Sequence, residues 1–299
     1  MSNRPCLSSR PDLTSWGIFS RGAPECRRFR FTPDPSSCCP RPACSASPAS
    51  ALFFLLPLFI TDHGGTKADI GLVMGVMALA GVLSRPLVSN MVDRLGRKRS
   101  TAAGCLILAV LPLIYLLFSG PLAGFYLPLL LVRAIHGLGE ALFFTASFTY
   151  IIDIIPEPRL NEGIGMFGTS GLVGMAVGPM IGEAVIRAYG FPVYFLTTSF
   201  MSALGLILLF PLPESFVPAG RGRTDPSFFS VLFRRRIFLL TTLAALFGVG
   251  LAGYGGFVAP YGQELGLPFV SLYFLAYSAA AVLVRLFAAG WPTAWARPG

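Results

Sequence analysis

The chain has 299 residues, of which 54% are hydrophobic and 12% are charged, and its net charge is +9. Soluble domains carry about 25% charged residues, so this composition, with a mean hydropathy of +0.68, excludes a water-soluble globular domain. It predicts an all-α, polytopic bundle of transmembrane helices surrounded by membrane lipid. No nucleic-acid partner is expected, because most basic residues fall in the first fifty positions or in predicted cytoplasmic loops.

The first 42 residues are rich in Pro, Ser, Arg and Cys and contain no sustained apolar period. We expect residues 1–42 to form a disordered leader; a misassigned translation start is the alternative. A secretory signal is excluded because the first long apolar run begins too late. The cysteines of this part lack the C-x-x-C spacing of zinc and redox sites, so we expect no metal and no cofactor.

Eight apolar stretches follow, and each predicts a membrane-spanning helix. The first is the weakest, because only residues 51–60 are strongly apolar, about half of the ~20 residues that a span needs. The spans group into a six-helix bundle over residues 43–212, a central cytoplasmic loop over 213–236 and an incomplete C-terminal bundle of two spans over 237–299. The predicted spans are 42–61, 69–88, 101–118, 123–152, 163–186, 191–212, 237–259 and 268–289.

The distribution of Lys and Arg residues orients these spans. The loops on the same side as Asp93 contain ten of them, whereas the opposite loops contain Lys67 and Arg187. Because cytoplasmic loops carry an excess of Lys and Arg, we expect the even-numbered spans to end in the cytoplasm, in a plasma or inner membrane. The ten residues are Arg94, Arg97, Lys98, Arg99, Arg159, Arg221, Arg223, Arg234, Arg235 and Arg236.

The loop between the second and third spans reads D-R-L-G-R-K and contains Asp93, Arg94, Gly96, Arg97 and Lys98. Two spans joined by so short a segment must reverse at one membrane face, and Gly96 permits the tight backbone turn that this requires. The basic residues place the turn in the cytoplasm. By residue type alone, an ordinary orienting loop and a loop with a role in gating are both open.

The fourth span contains three ionisable residues, Arg133, His136 and Glu140, at spacings of three and four. These spacings place them on one face of a helix. An ionisable side chain that faces lipid is costly, so we expect this face to line a cavity or to contact a partner. Glu140 is the best candidate for a proton-exchanging carboxylate. Burial favours its neutral form, whereas a nearby Arg133 favours its charged form, so both forms are accessible. The alternative is a structural Arg–Glu pair that fixes helix packing.

The fifth span contains a glycine and proline motif, formed by Gly174, Gly178, Pro179 and Gly182. Small residues four apart let two helices approach closely, and proline bends a helix. The motif predicts a bend that seals one side of a cavity; a general packing face is the alternative. Glu183 and Arg187 follow, four residues apart near the outer surface, and we expect them to pair.

These three patterns resemble the motifs of the major facilitator superfamily. The D-R-x-G-R-K loop is similar to the family's second-to-third-span loop, and R-x-x-x-G-x-G from Arg133 to Gly139 is similar to its fourth-span motif. The fifth-span pattern G-x-x-x-G-P-x-x-G is similar to the signature linked to antiporters. Three positions depart from the usual residues: Ser89 and Glu183 stand in place of Gly, and His136 stands in place of Gln.

A weak internal repeat adds to this resemblance. Residues 56–88 are similar to residues 258–289, with Pro57 matching Pro260 and Arg85 matching Arg285. The family is built from two parallel repeats of six spans separated by a cytoplasmic linker. The resemblance therefore implies twelve spans, and it implies a missing C-terminal half as a further partner of the eight spans predicted here.

The resemblance implies a secondary transporter of the drug–proton antiporter kind, which exchanges small amphipathic substrates for protons by alternating access, and not an enzyme. In the family the fourth-span arginine is implicated in proton coupling, so Arg133, His136 and Glu140 are the candidates for this role. The family's second-to-third-span loop latches against a late span of the other half, which implies gating. A non-transporting fragment, a chain that needs a second chain, and an importer of sugars or other metabolites are the alternatives.

Overall fold

The computed structural model describes residues 52–215, 230 and 232–288, and in this part every regular element is a helix or a helical turn. The predicted leader, residues 1–42, and most of the predicted central loop lie outside the described residues. The apolar runs form helices because, in lipid, each backbone N–H and C=O group needs a partner within its own segment. The chain is a helical membrane bundle, which confirms the predicted fold class.

The first elements are a 3₁₀ turn at Phe53–Leu55 and helix α1 at Leu56–Asp62. Together they form an apolar helix that, over its described residues, is shorter than a span. Helix α2 begins after Thr66 with a capping box, in which Thr66 Oγ1 accepts from the Asp69 N–H and the Asp69 carboxylate accepts from the Thr66 N–H. This cap fixes the start of the second predicted span.

A bend divides the second predicted span. Helix α2 covers Lys67–Leu83 and α3 covers Arg85–Leu95, and their axes differ by 51°. The bend coincides with Pro86 in the first turn of α3, because proline lacks an N–H and its ring clashes with the preceding turn. The sequence predicts one uninterrupted span over residues 69–88, since apolar residues continue on both sides of the bend.

Helix α4 covers Arg97–Tyr115, and α5 covers Tyr126–Ile154 after a 3₁₀ turn at Leu122–Gly124. A further 3₁₀ turn at Glu157–Arg159 leads into α6, Leu160–Leu209. Helices α4 and α5 cover the third and fourth predicted spans, and α6 covers the fifth and the sixth.

A break at Gly190 separates these two parts of α6. Gly190 has φ 80° and ψ −177°, a conformation that glycine adopts far more readily than residues with a side chain. The chain reverses there. A Cβ atom at Gly182 would lie 3.2 Å from the Tyr194 ring, whereas in a continuous helix these residues would be about 18 Å apart.

The last two helices are α7 at Arg235–Glu264 and α8 at Ser271–Ala288. Within the described residues, four helices are long and apolar enough to cross a membrane, or five if α2 and α3 form one bent span. In this count α6 appears once, although it contains a break, and the apolar parts of α1 and α8 are too short to be included. The arrangement of eight spans in two bundles stays a prediction.

The largest hydrophobic cluster lies at the end of the bundle that we predict to be extracytoplasmic. It joins α1 and the starts of α2, α5 and α8 to the ends of α4 and α7. Aromatic rings fill it, with Tyr115 stacked on Phe195 at 4.8 Å and Phe59 edge-on to Phe195 at 5.2 Å. A smaller cluster around Val88 and Leu142 packs α3 against α5 towards the other end.

Two glycines let α5 approach its neighbours closely. A Cβ atom at Gly104 of α4 would lie 2.7 Å from the backbone nitrogen of Phe143, and one at Gly137 of α5 would overlap the carbonyl oxygen of Met77 in α2. Helix backbones come this close only where the residue between them is small. The contacts fix α5, which carries the ionisable residues, against both α2 and α4.

We expect Gly104→Ala to lower the free energy of unfolding by about 1–3 kcal/mol, because the added methyl group would overlap the backbone of α5. Thermal unfolding of the purified protein in detergent measures this change. Gly75→Ala in α2 is the matched control, since no atom lies within 4 Å of its Cβ position and alanine is the better helix former. A Gly104 variant as stable as the Gly75 variant would contradict the close contact.

Candidate functional site

The loop between α3 and α4 is folded around the N-terminus of α4. Gly96 precedes this helix with φ 97°, and Oε1 of Glu214 accepts hydrogen bonds from the backbone N–H groups of Arg97 (2.8 Å) and Lys98 (3.1 Å). A carboxylate in this position satisfies free N–H groups and faces the positive end of the helix dipole. A Cβ atom at position 96 would lie 2.8 Å from Glu214 Oε2, so the loop needs glycine there.

The side chains of this loop connect it to other helices. Arg97 Nε lies 2.9 Å from Asp153 Oδ2 at the end of α5, and Arg97 Nη1 lies 3.3 Å from Asp93 Oδ1 in α3. Lys98 Nζ donates to the carbonyl oxygen of Phe210, directly after α6, at 2.7 Å. The structure therefore joins the predicted loop residues Asp93, Arg97 and Lys98 to the ends of α5 and α6 that are predicted to be cytoplasmic.

Two members of this network, Asp153 and Glu214, were not identified in the sequence. Each is an acidic residue close to the predicted cytoplasmic end of a span, and this position is the only signal of its role in the sequence. Arg94, the remaining charged residue of the predicted loop, is exposed in the last turn of α3. We refer to Asp93, Arg97, Lys98, Asp153 and Glu214 as the cytoplasmic network.

Helix α5 directs its ionisable residues into the bundle. Arg133 and His136 have no exposed surface, and the side chain of Glu140 is 22% exposed. Nη2 of Arg133 contacts Sδ of Met74 in α2 at 3.1 Å, and the guanidinium carbon lies 5.8 Å from the centre of the Phe53 ring. This face of α5 points towards α2 and the turn before α1, as the spacing of the three residues predicts.

His136 lies between the other two residues of this row. Its ring stands edge-on to Phe53 with the ring centres 4.1 Å apart, and Nε2 lies 4.0 Å from Glu140 Oε1. Within the described part of the chain, Arg133 Nε and Nη1 and both nitrogens of His136 have no hydrogen-bond partner. Buried polar groups without partners are costly, so the row retains hydrogen-bonding capacity for water or an exchanging proton.

The glycine and proline motif of α6 consists of Gly174, Gly178, Pro179 and Gly182, and all four residues are buried. A Cβ atom at Gly182 would lie 2.7 Å from the side chain of Leu52 and 2.9 Å from that of Leu55. The last glycine thus permits close packing of α6 against the start of the first helical segment. The role of the motif in bending the helix and sealing a cavity stays a prediction.

An open cavity of about 400 Å³ lies between α3 and α5. It is lined by Arg85, Phe144, Thr145, Phe148 and Thr149, and it begins one turn from Glu140 in the direction of the predicted cytoplasmic face. Arg85 Nη1 donates to Thr145 Oγ1 at 3.2 Å, so a guanidinium, hydroxyl groups and two aromatic rings face one space. Among the residues that the structure describes, no three His, Cys, Asp or Glu side chains are grouped as metal ligands.

The sequence matches the Major Facilitator Superfamily over residues 43–297. It is similar to the uncharacterized MFS-type transporter MJ1560 of Methanocaldococcus jannaschii, with 29% identity over 54% of this chain and 41% of the relative. It is also similar to the multidrug resistance protein MdtG of Enterobacter lignolyticus, with 28% identity over 56% of this chain and 40% of the relative. The matched part thus spans less than half the length of either relative.

Solved structures share the fold. A crystal structure of a mutant of the nucleoside transporter NupG superposes with a TM-score of 0.64 at 14% identity, over 85% of this chain and 67% of that one. A crystal structure of the D-xylose-proton symporter superposes with a TM-score of 0.55 at 16% identity, over 83% of this chain and 65% of that one. Identities this low indicate a shared fold alone.

We expect Asp153→Asn to lower the melting temperature in detergent more than Asp93→Asn does, because Asp153 is the closer and less exposed partner of Arg97. Its side chain is 28% exposed and 2.9 Å from Arg97, against 63% and 3.3 Å for Asp93. An exposed pair contributes about 0–1 kcal/mol, whereas a hydrogen bond between charged groups contributes about 1.5–3 kcal/mol. The two variants are matched, since each replaces one carboxylate partner of Arg97 by an amide. Equal effects would rule out Asp153 as the main partner.

Proposed function

Because the chain belongs to the major facilitator superfamily, a family of transporters, we propose that it works in a secondary transporter of the plasma or inner membrane. This transporter exports small, amphipathic or drug-like molecules in exchange for protons, by alternating access. The observation that carries the proposal is the enclosed row of Arg133, His136 and Glu140 on the inner face of α5. The activity is proposed for the whole carrier of two repeats, to which α1–α8 contribute.

Glu140 carries the exchanged proton in this proposal. It is the one residue of the row with exposed surface, so water can deliver a proton to it and remove one from it. His136 Nε2 lies 4.0 Å from Glu140 Oε1. A charged carboxylate enclosed inside a span is costly, and a neutral one is less so. Proton uptake or release at Glu140 therefore changes the relative stability of the conformations that enclose it and expose it.

Arg133 supplies a permanent positive charge to the same face of α5, two helical turns from Glu140. A fixed cation favours the ionised carboxylate, which in turn favours release of the proton. A cationic substrate in the cavity also favours the ionised form of Glu140. Binding of the substrate and release of the proton are therefore coupled. Met74 and Phe53 hold the guanidinium inside the bundle, which keeps this charge away from lipid.

The cavity between α3 and α5 is the cytoplasmic part of the substrate path in this proposal. The rings of Phe144 and Phe148 suit the apolar body of an amphipathic molecule, whereas Arg85 and Thr145 offer polar contacts. At the opposite end the aromatic cluster around Phe59 and Tyr115 fills the space between the helices. In this proposal the chain adopts a state that is open towards the predicted cytoplasmic face.

In this proposal the cytoplasmic network makes the second, third, fourth and sixth predicted spans move as one body. Its hydrogen bonds and ion pairs connect the ends of α3, α4, α5 and α6, so these ends cannot separate independently. Alternating access by rocking of two bundles requires such rigid units. We propose that the loop of Asp93, Arg94, Gly96, Arg97 and Lys98 controls opening at this face, and that Gly178 and Pro179 shape the seal at the other.

Similarity to the multidrug resistance protein MdtG favours export of drug-like molecules over uptake. The nucleoside and xylose transporters resemble this chain in fold alone, and they support no choice of substrate. Import of sugars or other metabolites and a fragment without transport activity are therefore the outcomes that the following experiment must distinguish from export.

We expect Glu140→Gln to abolish proton-driven export while substrate binding persists, because glutamine keeps the size and polarity of the side chain but cannot release a proton. Uptake of a fluorescent cationic dye by everted vesicles under a proton gradient measures transport, and dye binding to the purified protein measures affinity. Glu157→Gln is the matched control, since it makes the same change at an exposed position after α5. It should transport like the unchanged chain.

Unchanged dye transport by Glu140→Gln would remove Glu140 from the mechanism. Absence of proton-driven transport by the unchanged chain would favour the fragment, and accumulation of a sugar in right-side-out vesicles would favour the importer.

A further inference from the structure

Glu183 of α6 is a buried carboxylate with partners on another helix. Its side chain is 8% exposed, and Oε1 lies 2.9 Å from Nη2 of Arg187, one turn further along α6. Oε1 also accepts a hydrogen bond from the Val270 N–H at 3.1 Å, and Oε2 accepts one from the Ser271 N–H at 2.8 Å. The spacing of Glu183 and Arg187 predicts their pair, but the contacts with α8 join distant parts of the chain and have no local signal.

These contacts place a negative charge at the N-terminus of α8. The first N–H groups of a helix have no partner within it, and the helix dipole is positive there. Hydrogen bonds from N–H groups to a carboxylate are charge-assisted and stronger than neutral ones. Arg187 adds a second attachment, because it donates to the carbonyl oxygen of Pro268 and lies 4.4 Å from the centre of the Phe269 ring.

The same end of the bundle holds other contacts of α7 and α8 with the first helices. Val270 and Phe274 of α8 are buried in the largest hydrophobic cluster. Lys67 at the start of α2 lies 3.0 Å from Glu264 at the end of α7, in a pair that is exposed on both sides. Because an exposed ion pair contributes little to stability, the buried contacts of α8 with α6 and with this cluster carry the attachment at the predicted extracytoplasmic end.

Towards the predicted cytoplasmic end the attachment is weaker. Arg285 of α8 makes two longer contacts with α6, to the carbonyl oxygen of Gly165 at 3.3 Å and to Oγ1 of Thr169 at 3.5 Å. None of the most apolar window of α7 is buried. Residues 235–254 of α7 thus include no buried residue on the side where the cavity lies, whereas α8 stays beside α6 through Arg285.

We propose that Glu183 is a conformational latch, whose carboxylate holds the part of α6 before Gly190 and the start of α8 together at the extracytoplasmic side while the cytoplasmic side is open. The latch must release α8 before the extracytoplasmic side opens. This inference rests on the proposed alternating access and adds a residue that sets the balance between its two states. Because the contacts exist in one state, their loss shifts the population towards the other state.

Two single cysteines report the two sides, in a background without the six native cysteines. Ser278→Cys lies on the same face of α8 as Ser271, two turns deeper, where Ser278 is 3% exposed. Thr145→Cys lies in the cavity near the cytoplasmic end. A membrane-impermeant thiol reagent is applied to each side in turn, and the labelling rates are compared with and without Glu183→Gln.

Glu183→Gln should raise labelling of Ser278→Cys from the extracytoplasmic side by about tenfold, which corresponds to losing one charged hydrogen bond. Labelling of Thr145→Cys should fall at the same time, because the states exchange. Glu183→Asp keeps the charge and should recover most of the original rates. Glu264→Gln is the matched control: its carboxylate lies at the same end but is 52% exposed, so both rates should stay unchanged.

Unchanged labelling of Ser278→Cys in Glu183→Gln would overturn the latch. So would faster labelling at both positions, which is the result of a loosened bundle. If Glu183→Gln does not fold, Arg187→Gln removes the second contact of the same attachment. Because the Arg187 side chain is half-exposed, this change should shift both labelling rates in the same directions but by less. If Glu183→Gln shifts the two labelling rates in opposite directions but the unchanged chain transports no dye, the latch is supported and export is refuted. If the unchanged chain transports dye but Glu183→Gln leaves both labelling rates unchanged, the latch alone is refuted.

Discussion

Arg133 is a fully enclosed cation in a membrane-spanning helix, and the packing around α5 follows from the need to enclose it. A guanidinium that faced acyl chains would be costly, so α2 and the turn before α1 cover it with Met74 and Phe53. Gly137, one turn further along α5, lets the backbone of α2 approach closely enough to do this. The row that carries the proposed chemistry is therefore also the row that fixes three helical segments together.

Two carboxylates perform the same physical task at opposite ends of the bundle. Glu214 caps the N-terminus of α4 on the predicted cytoplasmic side, and Glu183 caps the N-terminus of α8 on the other side. Each carboxylate comes from a distant part of the sequence and joins two helices through backbone N–H groups, which are present at every helix start. The first cap joins the start of the predicted central loop to the predicted six-helix bundle, whereas the second crosses between the two predicted repeats. A contact of the second kind must break if the repeats rock against each other.

The sequence predicts the helical fold and the family because both depend on local patterns, and the structure and the comparisons confirm them. Apolar runs define the helices, and the spacing of Arg133, His136 and Glu140 defines their common face without any tertiary information. The bend at Pro86 carries a local signal, but an apolar run that continues through it hides the break. The assignments of leader, central loop and incomplete second bundle stay predictions.

Contacts between distant residues could not be predicted in this way. Arg97 reaches Asp153 and Glu214 only once α5 and the residues after α6 are placed beside α4, so these two acidic residues gain their roles from tertiary structure. The same holds for Glu183, whose spacing to Arg187 suggests a local pair but whose partners Val270 and Ser271 lie on α8. Sequence patterns locate these residues near helix ends, and packing alone selects their partners.

Access of water to Glu140 is the central requirement of the proposed proton exchange. The most direct measurement is the labelling of Glu140→Cys, in a background without native cysteines, by a membrane-impermeant thiol reagent applied to each side of the membrane. The account predicts labelling from the cytoplasmic side, through the cavity lined by Phe144 and Thr145. A cysteine at position 140 that stays unmodified from both sides, with and without substrate, would contradict it.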